Sequence, residues 1–156
     1  MIQDAVIAYT QSDLDWFWKI REDVHACVSR CTFDQHFDIS LPIESIGQQL
    51  GLMRENLLEV VGVDEVYVFG HIADGNIHLI VDKQNQDAEL TEAINKIVYQ
   101  PLTEIGGSVS AEHGIGLHKK AYLNLCRSEQ EIAIMKALKE QLDPKGILSR
   151  GKIFDS

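Results

Sequence analysis

Hydrophobic positions change period several times along the chain, and each change marks an element. Phe17, Ile20, Val24, Cys27 and Cys31 recur at three-four spacing, which predicts a helix with one apolar stripe over residues 13–31. Phe37, Ile39 and Leu41 then alternate with His36, Asp38 and Ser40, the period of a strand, and Pro42 ends that strand where a helix can begin. Ile43, Ile46, Leu50, Met53, Leu57 and Val61 return to helical spacing. The segment EVYVFGHIADGNIHLIVD reads as two alternating strands joined at Asp74-Gly75, a dipeptide that takes the positive φ angles of a two-residue hairpin turn. A helix over 88–105 turns Leu90, Ile94, Ile97, Leu102 and Ile105 inward, with Pro101 expected to kink or shorten it and Gly106-Gly107 to end it. Ser108, Ser110 and Glu112 alternate with Val109 and Ala111 as a fourth short strand. Two C-terminal helices follow. The last opens on the capping pattern Ser128-Glu129-Gln130-Glu131 and turns Ile132, Met135, Leu138 and Leu142 inward.

Without the first helix and the C-terminal pair, the order is strand, helix, strand, strand, helix, strand, that of a split βαβ unit. The expected fold is therefore α+β: a ferredoxin-like antiparallel sheet with an added N-terminal helix and C-terminal helices, as one domain over residues 1–156. A chain of 156 residues can bury a core without disulfides or a structural metal. No apolar run approaches the ~18–20 residues that span a bilayer, and the first residues carry no basic, apolar leader. A cytoplasmic setting is expected, with Cys27 and Cys31 as reduced core thiols. The net charge of −10, with only 14 Lys and Arg, excludes a surface that tracks nucleic-acid phosphates. A small anionic substrate stays within reach, because a pocket needs only one or two local cations.

Alternation also sorts the strands by face. Val66, Val68, Gly70, Ile72, Ile77, Leu79 and Val81 share the side suited to packing beneath helices. The other side carries Tyr67, Phe69, His71, Asn76, His78 and Ile80, joined by His36, Asp38, Ser108, Ser110 and Glu112 where the outer strands keep register. With Asp74-Gly75 as the whole turn, His71 opposes His78, which brings their Cβ atoms to about 4.5–5.5 Å. His36, His71, Asn76, His78 and Glu112 are expected at one sheet edge. Two opposed histidines with a glutamate match a catalytic zinc set that keeps a position open, although the spacing does not choose the metal. The plain alternative is the solvated polar face of an open sheet. Tyr67 and Phe69, apolar on that face, suit contact with an adjoining domain, and Lys119 and Lys120 read as solvated helix residues.

Three stretches carry a resemblance. GHIADGNIH at 70–78, SAEHGIGLHKK at 110–120 and LDPKGILSRGKIF at 142–154 resemble, in the same order, the C-terminal domain of the FAD-linked oxidase family, which includes D-lactate, glycolate and D-2-hydroxyglutarate dehydrogenases. The resemblance implies the substrate- and metal-binding part of an FAD-dependent dehydrogenase that oxidises a D-2-hydroxy acid to the 2-oxo acid. FAD would be held mainly by an FAD-binding domain, on the same or another chain, that nothing in this sequence resembles. The resemblance implies His71, His78 and Glu112 as ligands of a divalent metal, zinc or manganese, with His113 as catalytic base. It places Arg21, in the stretch WKIRE, on the substrate carboxylate, with His25 one helical turn away. Asn76 and His36 would line the substrate, Asn76 would also reach the flavin, and Lys152 of Gly151-Lys152 would contact the cofactor.

The sequence departs from the D-2-hydroxyglutarate dehydrogenases at His25 and His36, which stand where those carry Thr and Lys, and at Ser149-Arg150, which replaces Asn-Pro. A 2-hydroxy acid can chelate a cation through carboxylate and hydroxyl, and an imidazole titrating near neutrality suits removal of the hydroxyl proton as hydride leaves for a flavin. The isolated chain is expected to be nearly inactive. Two further readings are a non-catalytic ferredoxin-like metal-binding or interaction module and a metal-free cap over a flavin. The choice of 2-hydroxy acid, the electron acceptor, homo-oligomerisation and a peripheral membrane position of the complete enzyme stay open.

Overall fold

The computed structural model describes residues 5–155 and divides into two units, one ending at Cys31 and one starting at Thr32. In the first unit, α1 (Gln11–Glu22) and α2 (Val24–Val28) stand where the pattern predicts one helix. The break falls at Asp23, which leaves helical geometry and accepts the Ala26 N–H on its carboxylate at 3.2 Å. Aspartate competes in this way with the helical backbone. Thr10 and Asp13 close a reciprocal capping box at the start of α1.

The second unit runs β1 (Phe33–Ser40), a 3-10 turn (Ile43–Ser45), α3 (Ile46–Leu58), β2 (Val63–His71), β3 (Asn76–Lys83), α4 (Ala88–Tyr99), α5 (Leu102–Ile105), a 3-10 helix (Lys120–Leu125) and α6 (Glu129–Leu142). The sheet is antiparallel in the order β1-β3-β2, and a single bridge from Ser40 to Ser108 lies on the free side of β1. The fold is α+β, with the strand order that the split βαβ pattern requires. Phe37, Ile39, Val66, Ile77, Leu79 and Val81 form the inner face. They are buried with Ile46, Met53 and Leu57 of α3 and with Leu90, Ile94 and Val98 of α4.

Pro101 splits the expected 88–105 helix into α4 and α5, since its ring removes a backbone donor. Gly106 ends α5 at φ 70, a conformation glycine takes without strain. The helix after Pro42 stops at Leu58, leaving Val61 exposed.

Further expectations are corrected. The hairpin loop has four residues, Ile72 to Gly75: the Gly75 N–H reaches the His71 carbonyl at 3.1 Å, and the Asp74 carboxylate accepts the Asn76 N–H. His71 therefore pairs with Asn76, and His78 with Phe69, so the two histidines are diagonal neighbours. A Cβ on Gly75 (φ 75) would stand 2.2 Å from the Leu41 carbonyl oxygen, so only glycine fits where the hairpin tip lies on the end of β1. Next, residues 110–113 form no fourth strand. After the bridge at Ser108 their amides turn toward a buried carboxylate, described below. Finally, the first predicted C-terminal helix is only the short 3-10 segment. On α6 the Ser128 capping box forms, but Leu138 and Leu142 point outward and form an exposed row with Ile134. Helical spacing identifies an apolar face without identifying its cover, and α3 and α4 already fill the inner side of the sheet.

Candidate metal and acid-base site

β1 and β2 run in one direction and β3 in the other, so the ends of β1 and β2 meet the start of β3. There the polar face of the sheet carries His78, paired with Asp38 on one side and Phe69 on the other. The His78 ring is largely buried, with 13% of its side chain exposed. Its Nε2 lies 3.2 Å from Glu112 Oε1 and its Nδ1 3.9 Å from Asp38 Oδ1. His113 stacks on His78 with ring centres 5.3 Å apart, and its Nε2 is 3.7 Å from the same Glu112 oxygen. One donor atom from each of Asp38, His78, Glu112 and His113 falls within 4.8 Å of the other three. The imidazole nitrogens of His78 and His113 together with the Glu112 carboxylate are a donor set that zinc or manganese accepts, so these three residues fit a divalent cation. His71 stands beside the group, edge-on to His78 at 6.4 Å between ring centres, with Nδ1 3.6 Å from Asp74.

Asp38 is 1% exposed. Its carboxylate accepts the Ser110 hydroxyl at 2.8 Å, the backbone N–H groups of Ala111, Glu112 and His113 at 3.2, 3.2 and 3.0 Å, and the Lys119 ammonium at 2.9 Å. Burial opposes its ionisation. The His113 N–H, the Lys119 charge and the Ser110 hydroxyl outweigh that cost and hold the carboxyl well below the ordinary carboxylate range. Lys119 is buried and Lys120 partly so, contrary to the solvated reading. Lys119 donates to both the carboxylate and the carbonyl of Asp38, while Lys120 donates to the Gly151 carbonyl and pairs with Asp155.

Asn76 lies next to His78 on the same face, 7% exposed, and its Oδ1 is the only buried side-chain polar atom without a hydrogen-bond partner among the described residues. An orphaned buried acceptor is costly, so Asn76 offers a ready place for a donor from a ligand.

His36 and Lys152 lie outside this group. His36 faces the same side but sits mid-strand opposite Ile80, half exposed and paired with Asp34, because the start of β1 lies at the opposite edge. Arg21 belongs to the first unit, where it pairs with Glu22 and lies 4.9 Å over the Trp18 ring. Lys152 lines a cleft of about 470 Å³ with Lys136, Lys139, Arg150 and Phe154. The chain beside it is tied to the loop after His113 by the Ile153 N–H to the Gly116 carbonyl at 2.8 Å.

Sequence reasoning placed Asp38 on the right face but gave it no role, and it dismissed Lys119. One signal was present, an isolated acid between the core residues Phe37 and Ile39. Its partner, 81 residues away in sequence, left no local pattern.

An α+β domain with histidines and carboxylates gathered at one sheet edge is the class that fold and site define. The chain belongs to the family described as FAD linked oxidases, C-terminal domain, which it matches over residues 1–153. It is 34% identical over 149 residues to a mitochondrial D-2-hydroxyglutarate dehydrogenase of Danio rerio, covering 96% of this chain and 28% of that protein. It is 36% identical over 162 residues to a D-2-hydroxyglutarate dehydrogenase of Stutzerimonas stutzeri, covering 98% and 34%. A putative mitochondrial D-lactate dehydrogenase of Schizosaccharomyces pombe is 32% identical over 157 residues, covering 95% and 30%. The chain thus spans about a third or less of the relatives it matches. Among the described residues no helix is long and apolar enough to cross a membrane.

Proposed function

We propose that this chain is the substrate- and metal-binding domain of an FAD-dependent dehydrogenase that oxidises a D-2-hydroxy acid to the 2-oxo acid. The observation that carries the reading is the convergence of His78, Glu112 and His113 within contact of one another, beside the unpartnered Asn76 acceptor. His71, His78 and Glu112 hold a divalent cation, zinc or manganese. Asp38 is left out of this set because its oxygens are already occupied by donors. His71, on the same face and edge-on to His78 with ring centres 6.4 Å apart, would complete the set. Bound there, the cation supplies charge that favours ionisation of the substrate hydroxyl, and FAD supplies the hydride acceptor.

His113, exposed and stacked on His78, takes the hydroxyl proton. Arg21 binds the substrate carboxylate, Asn76 accepts a hydrogen bond from substrate or flavin, and Lys152 contacts the cofactor; the mid-strand position of His36, paired with Asp34, gives no support to a substrate contact. The FAD-binding domain, on the same or another chain, covers the exposed row Ile134, Leu138 and Leu142. Its existence is supported by the family description and by the greater length of the relatives. A cytoplasmic setting completes the proposal, and fractionation of the source cells checks it.

The test is His113→Ala in the complete flavoprotein. Flavin reduction by D-lactate and D-2-hydroxyglutarate should fall at least about 100-fold, the usual contribution of a positioned base, while zinc binding by titration calorimetry stays near that of the parent. Unchanged turnover would favour a binding module instead.

A further inference from the structure

A segment that abandons the sheet still has to be held in place. After Val109 the backbone makes no further strand bridge among the described residues, yet the next residues include Glu112 and His113, whose positions decide the site. What holds them is one side chain on the neighbouring strand. Four consecutive residues, Ser110 to His113, each donate a hydrogen bond to the Asp38 carboxylate, three of them through the backbone. A fifth donor, Lys119, comes from the far end of the same segment and ties down the Asp38 carbonyl as well, at 2.8 Å.

We infer that Asp38 and Lys119 form a buried charged clamp that sets the positions of Glu112 and His113 against His78, with Asp38 acting as a positioning residue and not as a metal ligand. The inference rests on the reading of Glu112 and His113 given above. A carboxylate has about four lone-pair sites, and here they meet donors from five residues, so none is left for a cation. Its contact with His78, at 3.9 Å from Nδ1, is an electrostatic one that orients the ring from behind. Charge is essential to the clamp. An amide at this position would turn an NH₂ group toward donors that need an acceptor and would leave the Lys119 ammonium buried without its counter-charge. Lys119 and Lys120 extend the clamp in opposite directions, one to the sheet and one to the Gly151 carbonyl. The bland competitor is an ion pair that serves stability alone.

Asp38→Asn, the double variant Asp38→Asn/Lys119→Met, and Ser110→Ala separate the two in the complete flavoprotein. The readouts are thermal midpoint, zinc affinity by titration calorimetry, and kcat at saturating zinc and 2-hydroxy acid. Removing both charges relieves the unpaired lysine, so the double variant should recover thermal midpoint relative to Asp38→Asn. The inference expects its zinc affinity to stay about 10–100-fold below the parent, the usual effect of losing support behind metal ligands, with kcat at least tenfold lower. Ser110→Ala, which removes one donor and leaves both charges, should show a smaller loss in the same direction with little change in midpoint. Folded variants that bind zinc and turn over like the parent would overturn the inference. A parent protein that neither binds zinc nor oxidises a 2-hydroxy acid would overturn the reading beneath it, and the inference with it.

Discussion

His78 and Leu79 are adjacent in β3 and answer to different demands. Leu79 is fully buried on the inner face, whereas His78 sits on the polar face between the Phe69 ring and the Asp38 carboxylate, with one ring nitrogen toward each of two carboxylates. Replacing Leu79 with Ala should cost roughly 2–5 kcal/mol of stability, through lost burial and the cavity left behind, while the folded protein keeps its metal affinity. Replacing His78 with Ala should cost little stability and at least about 10–100-fold in affinity, since loss of even the groups behind a ligand has that effect. Urea unfolding and calorimetric titration with zinc or manganese check the pair. Undiminished binding by His78→Ala would remove His78 from the ligand set. This division by face was legible in the sequence, because alternation alone separates odd from even positions. The role of Asp38 was not. An aspartate in a strand looks the same from its neighbours whether it meets water or, as here, five donors from a distant loop.

Among the elements, the hairpin shows how a wrong turn can leave the right faces. A four-residue loop in place of two shifts each pairing by an even number of positions, so the residues that stay in the strands keep their assigned sides, while Ile72 passes into the exposed loop and His71 moves off His78. Sequence fixes parity through the side-chain period, but loop length depends on how the tip meets Leu41, a contact with no local signature. The end of α6 is a similar case. Asp143 accepts the Lys139 ammonium and the N–H groups of Leu148 and Ile147, at 2.9 and 3.0 Å, and so holds the turn after the helix. The Lys139 contact first, then the Leu148 N–H, lower its pKa from the ordinary 3.8. A carboxyl whose folded pKa is depressed stabilises the fold above its unfolded value, and that contribution fades as pH drops through the lower folded value. Asp143→Asn should therefore lower the thermal midpoint at pH 7, and its deficit should shrink as the pH is taken below 3.8. Equal deficits at pH 7 and at about pH 3 would show that the charge of Asp143 contributes nothing.

At the scale of the whole molecule the question is why α6 leaves Ile134, Leu138 and Leu142 between 58% and 79% exposed. The three recur every fourth position and so share one helix face, and Ile147 and Leu148 just beyond it are exposed as well. Scattered exposed residues need no explanation, but a continuous apolar row on a capped helix points to a partner. Under the proposed function that partner is the FAD-binding domain, whose docking would also bring the cofactor to the Lys152 cleft beside α6. Leu138→Glu and Leu142→Glu then have separable effects. Neither side chain is buried in this chain, so each should change its own stability by no more than about 0.5 kcal/mol. In the complete flavoprotein the same changes place a charge in an apolar contact, and the double variant should lose bound flavin, read as visible absorbance per polypeptide. Zinc affinity should be untouched, because the donor set lies at the sheet edge and contains no α6 residue. Full flavin content in the double variant would clear α6 of this role and leave its apolar face to some other partner.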